Sequence, residues 1–461
     1  MKKIFKLSFA LILLSSSISF AQENDSIIIR KFYNEALTNG KAYDWLNFLS
    51  NSIGARLSGS KEAAHAVKWS ETMLNSLKVD RVYKQQCMVP HWVRGAKEKA
   101  YFIKGDRKTE VAICALGGSI ATPKGGITAD VIEIKTWDEL KKLGEQNALK
   151  GKIVFYNMPW DQTDINTFDA YGAAVEPRWA GAMRAAPYGA VAIVTRSAAS
   201  DISKFPHTGS MSYKDSVTKI PACAISTFDA NLLSQSLRMR SMPPVKFSFT
   251  QNCLTLPDTA SFNVIGEIKG SEFPDEIILV GGHLDSWDIT KGAQDDGAGV
   301  VQCMEVLNLY KTLGIVPKRT IRCVLFMNEE NGGRGGKKYA EEAKAKNEKH
   351  IAAIESDAGG FVPRGFSFEG DSAQIEKIRS WKSQFEPYNL YSWNGSGSGS
   401  DIGHLSDQCG VLMGLSPDSQ RYFDVHHTAA DTFDKVNRRE LELGAASMAA
   451  LVYLISEYGL Q

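Results

Sequence analysis

The sequence shows no excess of charge of either sign. Its 461 residues carry 53 Lys and Arg against 52 Asp and Glu, a formal net charge of +1. Nucleic-acid-binding and polybasic membrane-surface proteins carry a clustered positive excess, so neither class fits. With 43% hydrophobic residues, the chain can build large cores and is not a disordered or fibrous protein. Its chemistry is therefore expected in a local site.

Cysteine is sparse, and its spacing lacks the CxxC pairs of thiolate metal sites. The seven cysteines are an odd set, and most lie in apolar runs such as 111–114 and 321–325. This pattern predicts buried, unpaired cysteines rather than a thiolate metal site or a cysteine nucleophile.

The sequence also has no apolar run long enough to cross a membrane, which takes about 20 residues in a helix. The apolar stretch 7–18 is shorter, follows a basic start and leads into Ser19-Phe20-Ala21. This pattern predicts a signal peptide at residues 1–21 and export to the periplasm or the medium. No integral membrane segment is expected.

Beyond residue 263, apolar strands alternate with helices. Residues 277–280, 321–326 and 351–354 are predicted strands, and 299–313 and 438–457 are predicted helices. Continuous apolar strands between amphipathic helices are typical of an α/β fold with a mostly parallel central sheet flanked by helices. Residues 100–255 have shorter strands and no cluster of acids with histidines, which predicts a separate β-rich module.

Eight acids and histidines follow these strands or lie in nearby loops: His283, Asp285, Asp295, Glu329, Glu330, Asp357, His426 and His427. Several carboxylates on one rim repel each other unless a multivalent cation neutralises them. Imidazole and carboxylate ligands without thiolate suit Zn²⁺, with Mn²⁺ or Co²⁺ as substitutes. The pattern predicts a metal site without assigning each ligand.

The order of these motifs resembles that of the di-zinc peptidases that include bacterial leucyl aminopeptidases and glutamate carboxypeptidases. The plasma glutamate carboxypeptidase (carboxypeptidase Q) branch is the most similar. The likeness runs from 53–60 through Asp431-Thr432. It implies a zinc exopeptidase fold whose catalytic domain comprises 22–99 and 256–461. A protease-associated domain at 100–255 would interrupt it.

The resemblance implies two zinc ions. His283 and Asp357 would hold one ion, Glu330 and His427 would hold the other, and Asp295 would bridge them. It also implies a cis peptide bond after Asp295.

Three neighbouring residues receive implied roles of another kind. Asp285 would orient the first histidine. Glu329 would be the general base that takes a proton from the attacking water and passes it to the leaving amine. For His426, contact with the scissile carbonyl and support of a neighbouring ligand remain alternatives. A pocket lining and a solvated loop are both open for three more residues: Ser398, Asp401 and Tyr422.

The implied function is hydrolysis of dipeptides or short peptides by an exported di-zinc exopeptidase, with no nucleic-acid partner. A homodimer is compatible with the resemblance. Members of the family recognise either the free amino or the free carboxyl end, and dipeptides free at both ends are favoured here. Two other hypotheses are cyclisation of N-terminal glutamine, as in related single-zinc enzymes, and a metal-free, receptor-like protein. The complete set of five implied ligands argues against both.

Overall fold

The computed structural model describes residues 25–239 and 243–461, so the predicted signal peptide lies outside the described residues. Within these ranges the strands form two eight-stranded sheets. The strands are β1 (Arg81–Val93), β2 (Lys99–Lys104), β3 (Arg107–Val111), β4 (Ile113–Ala115), β5 (Ile127–Ile134), β6 (Ile153–Tyr156), β7 (Ala192–Arg196), β8 (Ala222–Ile225), β9 (Lys246–Thr250), β10 (Leu254–Ile268), β11 (Phe273–His283), β12 (Arg319–Phe326), β13 (Lys349–Glu355), β14 (Pro363–Gly370), β15 (Ser392–Ser396) and β16 (Cys409–Pro417).

Helices connect and cover these strands. They are α1 (25–39), α2 (Ala42–Asn47), α3 (Lys61–Ser76), α4 (Trp137–Glu145), α5 (Thr167–Ala174), α6 (Glu176–Ala185), α7 (Thr227–Arg238), α8 (Ala298–Leu313), α9 (Arg334–Ala345), α10 (Ser372–Arg379), α11 (Lys382–Phe385), α12 (Tyr422–Val425) and α13 (Arg438–Tyr458). Among the described helices, none has the length and apolar character needed to cross a membrane.

The first sheet has the order β1–β10–β12–β11–β13–β16–β14–β15. Its four central strands, β12, β11, β13 and β16, run parallel to one another. Antiparallel pairs occur toward the edges, where β1 meets β10, β10 meets β12, and β14 meets β16. The predicted α/β fold with a mostly parallel central sheet is confirmed.

The second sheet takes all its strands from 99–250, in the order β3–β2–β9–β5–β6–β7–β8–β4. Strands β5 to β8 are parallel neighbours. Apolar side chains on its two faces form separate clusters, one around Phe155 and one around Tyr156. The segment therefore has its own sheet and its own apolar cores, and none of its strands joins the first sheet.

The first sheet is buried on both faces, which explains the continuous apolar runs of its central strands. Every residue of β12 is buried. Because side chains alternate across a strand, Ile278 and Val280 pack with α8 and α13 on one face, while Leu279 packs with α9 on the other. This packing aligns the carboxyl ends of β11, β12 and β13 along one edge, where ligand sites gather in such sheets.

Helix α3 begins directly after Ser60, whose hydroxyl accepts a hydrogen bond from the Ala63 N–H at 3.0 Å, as an N-cap does. Six cysteines are buried and Cys409 is half-buried, all unpaired. Strands β1 and β10 were not predicted, because both mix polar and apolar residues and are stabilised mainly by pairing with each other.

Candidate metal centre

One half of the candidate site surrounds the end of β11. His283 is the last residue of that strand, and its Nε2 atom lies 3.1 Å from Asp295 Oδ1 and 3.4 Å from Asp357 Oδ1. Asp357 follows β13, the parallel neighbour of β11. The His283 Nδ1 atom lies 3.1 Å from the main-chain oxygen of Asp285. A proton donated there leaves the Nε2 lone pair facing the two carboxylates.

The other half joins the end of β12 to the loop after α12. Glu330 Oε2 lies 3.0 Å from His427 Nε2. The backbone N–H of Trp287 donates to the other Glu330 oxygen at 3.1 Å. His427 Nδ1 lies 3.2 Å from the carbonyl oxygen of Thr208. A proton donated to that carbonyl turns the Nε2 lone pair toward Glu330, as for His283.

Asp295 stands between the two halves. Its Oδ1 atom is the oxygen close to His283, and its Oδ2 atom lies 3.2 Å from His427 Nε2. The backbone N–H of Asp295 donates to Asp431 Oδ2 at 3.1 Å, which fixes the loop before α8. The peptide bond between Asp295 and Asp296 is cis, as the resemblance implied. A single carboxylate thus faces both histidines, the geometry expected of a bridging ligand.

The adjacent Asp296 also lies beside His283 and Asp357, and its carboxylate accepts two backbone hydrogen bonds. Its carboxylate accepts the backbone N–H of His283 at 2.9 Å and that of Gly299 at 3.0 Å. Asp296 therefore ties β11 to the start of α8.

Asp285 contacts the loop that carries Glu329. Its Oδ1 atom accepts the backbone N–H groups of Asn328 at 2.7 Å and Glu329 at 3.1 Å. The same oxygen is 3.8 Å from His283 Nδ1. Asp285 therefore contacts His283 through its main-chain oxygen, while its carboxylate holds the backbone beside Glu330.

His426 lies against the second half of the site. Its ring stacks on His427 with centroids 3.6 Å apart, and its Nε2 atom is 3.5 Å from Asp295 Oδ2. Tyr171, from the segment with the second sheet, meets the ring edge-on. Burial and the neighbouring His427 lower the pKa of His426 well below its usual value. A neutral imidazole at this position can donate one hydrogen bond to a ligand.

The three remaining candidates differ in burial. Asp401 is 1% exposed and Tyr422 is 2% exposed, whereas Ser398 is half-buried. A solvated loop therefore does not describe Asp401 or Tyr422. The N–H groups of Asp401 and Ile402 point at the Glu355 carboxylate, so this loop packs beneath the end of β13.

The cluster holds more negative charge than two histidines balance. Burial raises the pKa of Glu330 to about 8, and repulsion from Asp295 acts in the same direction. Burial raises the pKa of Asp357 to about 6, where repulsion from Glu329 adds to burial and His283 opposes it. Burial lowers the pKa of His283, but Asp357 and Asp295 outweigh burial and raise it well above its usual value. The raised pKa values mean that these groups hold protons, which offset the negative charge of the cluster. A divalent cation would offset that charge more strongly.

The donor atoms fit a metal ion. Asp295 Oδ2 and Glu330 Oε2 are buried, and neither forms a hydrogen bond of acceptable geometry within 25–239 and 243–461. His427 Nε2 is nevertheless close to both, so this imidazole nitrogen lies between two carboxylate oxygens that lack a hydrogen-bond donor. Two imidazoles and three carboxylates form a set that suits Zn²⁺.

Besides Tyr171, two further residues at the site come from the segment with the second sheet, and the sequence predicted none of the three. Besides accepting from His427, Thr208 donates its backbone N–H to the His427 carbonyl at 3.0 Å. Arg178, in α6, is half-buried with Nη1 3.4 Å from His427 Nδ1. Its Nε atom is buried without a hydrogen-bond partner in the described chain. No local pattern marks either residue, because their importance comes from how two distant segments pack.

The sequence is similar to those of known peptidases. The model of peptidase family M28 matches residues 263–452. Carboxypeptidase Q of Mus musculus is 37% identical over 419 residues, which cover 90% of this chain and 86% of the relative. Carboxypeptidase Q of Homo sapiens is 37% identical over 434 residues, covering 94% and 88%.

Solved structures show the same fold. A peptidase M28 precursor from Shewanella amazonensis superposes with a TM-score of 0.87 at 35% identity, covering 94% of this chain and 97% of its own. A zinc aminopeptidase from Bacillus subtilis superposes with a TM-score of 0.64 at 19% identity, covering 90% and 94%. At that identity the second likeness concerns the fold alone.

Proposed function

This chain belongs to peptidase family M28 and is a metallopeptidase, and we propose that it is an exported di-zinc exopeptidase that hydrolyses dipeptides or short peptides. The observation that carries the proposal is the position of Asp295. Its two oxygens face two histidines, each of which has another carboxylate within 3.4 Å. The pattern in residues 1–21 supports export.

In this proposal His283 and Asp357 hold one ion, Glu330 and His427 hold the other, and Asp295 serves both. When bound, the two ions polarise the scissile carbonyl and lower the pKa of the attacking water. The protein contributes rigid ligand positions, since main-chain oxygens accept from both histidines.

Glu329 is proposed as the general base. It is half-buried, next to Glu330, on backbone held by Asp285. A carboxylate there can take a proton from the attacking water and return it to the leaving amine. His426 is proposed to donate a hydrogen bond to the carbonyl oxygen of the substrate, since its ring lies beside Asp295.

We further propose that 100–255 is a protease-associated domain that narrows the approach to the site. Its residues Thr208 and Tyr171 contact His427 and His426. Unlike Arg94 and Arg184, which pair with glutamates, Arg178 has no carboxylate within ion-pair distance among the described residues. A guanidinium group that lacks a carboxylate partner and lies beside the site can bind the free carboxylate of a short peptide.

A peptide panel tests this function. The zinc-loaded protein would be incubated with free dipeptides, the same dipeptides acetylated or amidated, tripeptides, and a peptide with N-terminal glutamine. Mass spectrometry would identify the products. The proposal expects hydrolysis of free dipeptides. Cyclisation of the glutaminyl peptide without any hydrolysis, or no product from a zinc-loaded protein, would contradict it.

A further inference from the structure

The second sheet carries a cleft. Its lining residues lie between positions 135 and 238, before all the proposed metal ligands in the sequence. Strands β5, β6 and β7 are parallel, and their carboxyl ends form its floor. Helix α7 lines the cleft along another side. The volume is about 550 Å³, within the range of pockets that bind small molecules. Crevices beyond the carboxyl ends of parallel strands are common ligand sites in α/β sheets.

Three cationic residues line this cleft from three different elements. Lys135 directly follows β5, Arg196 is the last residue of β7, and Arg238 is the last residue of α7. The topology of the sheet brings them together, although they are far apart in sequence.

Arg196 is half-buried and has only neutral partners. Its Nη1 atom donates to Asn231 Oδ1 at 2.7 Å and reaches Asn157 Oδ1 at 3.4 Å. No carboxylate lies within ion-pair distance of it in the part of the chain that the structure describes. By contrast, the buried Arg94 pairs with Asp288 at 2.7 Å. Burying a guanidinium without a counter-charge is costly, so an anion in the cleft would stabilise Arg196.

The floor of the cleft is pre-organised. Asn157 is 7% exposed, and its Nδ2 atom donates to Glu133 Oε1, which also accepts from the buried hydroxyl of Ser234. These bonds fix the amide so that Asn157 Oδ1 faces Arg196. The other oxygen of Glu133 lies 3.9 Å from Lys135 Nζ. Glu133 and Lys135 balance each other, whereas no carboxylate of residues 25–239 or 243–461 lies within ion-pair distance of Arg196 or Arg238.

We propose that this cleft binds a small multivalent anion, one that carries a phosphate or two carboxylates, between Arg196 and Arg238. The planar guanidinium groups can each offer two parallel N–H donors to such groups. Burial lowers the pKa of Arg196 from its usual value, as expected for a cation that has no anionic partner. None of the proposed metal ligands lines the cleft, and the proposal does not depend on the function proposed for them.

Calorimetric titration of the metal-loaded protein tests this proposal with inorganic phosphate and with succinate as probes. Sodium chloride would balance ionic strength. The two probes distinguish a phosphate site from a dicarboxylate site, and binding of either supports the proposal. Phosphate can also contact metal ions, so the decisive comparison is between variants.

Arg196→Gln should weaken binding at least about tenfold, as expected for the loss of one charge-assisted hydrogen bond. Arg238→Gln, which changes an exposed side chain and spares the fold, should also weaken it. Lys141→Gln, an exposed position in α4 outside the cleft, should not. Peptidase activity should stay unchanged in all three variants. The proposal would be overturned if the unmodified protein bound neither probe. It would also be overturned if Arg196→Gln and Arg238→Gln bound the probes as tightly as the unmodified protein does.

Discussion

Asp285 holds Glu329 through the backbone: its Oδ1 atom accepts the Glu329 N–H at 3.1 Å and the Asn328 N–H at 2.7 Å. Both N–H groups use one oxygen, so an asparagine with its carbonyl in that place can keep both bonds. Asp285→Ala leaves the buried Asn328 N–H without an acceptor, at about 1–3 kcal/mol, and the part-buried Glu329 N–H as well. We expect Asp285→Ala to lose far more turnover than Asp285→Asn, measured as kcat at full metal loading. If both variants lost the same amount of turnover, Asp285 would act through its negative charge and not through these hydrogen bonds.

Glu329→Gln should abolish most of the turnover and leave the metal content unchanged. The substitution keeps the shape of the side chain and removes its basicity, a loss of about 10²–10⁴ in rate for a general base. The matched variant is the adjacent Glu330→Gln, which should lose metal first because Glu330 is a proposed ligand. Metal analysis and kcat on both variants check this pair. A Glu329→Gln protein with a near-normal rate would refute the role of base.

Arg178→Gln should impair peptides with a free carboxylate more than their amidated forms. The proposed contact is a charge-assisted hydrogen bond, so its loss should raise KM for free dipeptides about tenfold or more. Arg184→Gln provides a control in the same helix, since Arg184 is exposed and pairs with Glu176. If free and amidated peptides suffer equally, Arg178 acts by supporting His427 and not by binding substrate.

The convergence of three proposed ligands could be predicted from the sequence because each of them ends or follows a strand. His283, Glu330 and Asp357 end or follow three parallel neighbours, whose carboxyl ends must meet at one edge. The contribution of the second sheet could not be anticipated in this way. Thr208 and Arg178 belong to a loop and a helix of a different sheet, and their approach to His427 depends on long-range packing.

The role of Asp285 was only partly predictable. Its position after His283 indicated a partner for that histidine, but the sequence does not distinguish the main-chain oxygen from the carboxylate. The structure places the main-chain oxygen 3.1 Å and the carboxylate 3.8 Å from His283 Nδ1. The backbone conformation at Asp285 determines which of its oxygens contacts His283. That conformation depends on the neighbouring loop at Asn328.

Two buried glutamates that are not proposed metal ligands should make stability depend on pH. Glu305 and Glu442 accept the backbone N–H groups of Lys41 and Tyr43, both at 3.2 Å. Burial, with repulsion from Glu442, raises the pKa of Glu305 to about 8, and burial raises that of Glu442 to about 7. Since the folded state then holds more protons than the unfolded state, stability should fall as pH rises from about 5 to 8.

The slope can reach about 1.4 kcal/mol per pH unit for each carboxyl group. Glu305→Gln keeps an oxygen for the Lys41 N–H and removes the titration. Urea unfolding across this pH range should therefore give a flatter profile for Glu305→Gln than for the unmodified protein. Parallel profiles would show that Glu305 does not change its protonation on unfolding.

The most direct test of the di-zinc account is the number of metal ions per chain in the active protein. Because Asp295 faces both His283 and His427, we predict two zinc ions per active chain, with Mn²⁺ or Co²⁺ able to replace them. Glu330→Gln and Asp357→Asn should each reduce the count toward one, measured by mass spectrometry of the metals after dialysis. A fully active protein that holds one ion, or none, would contradict the account.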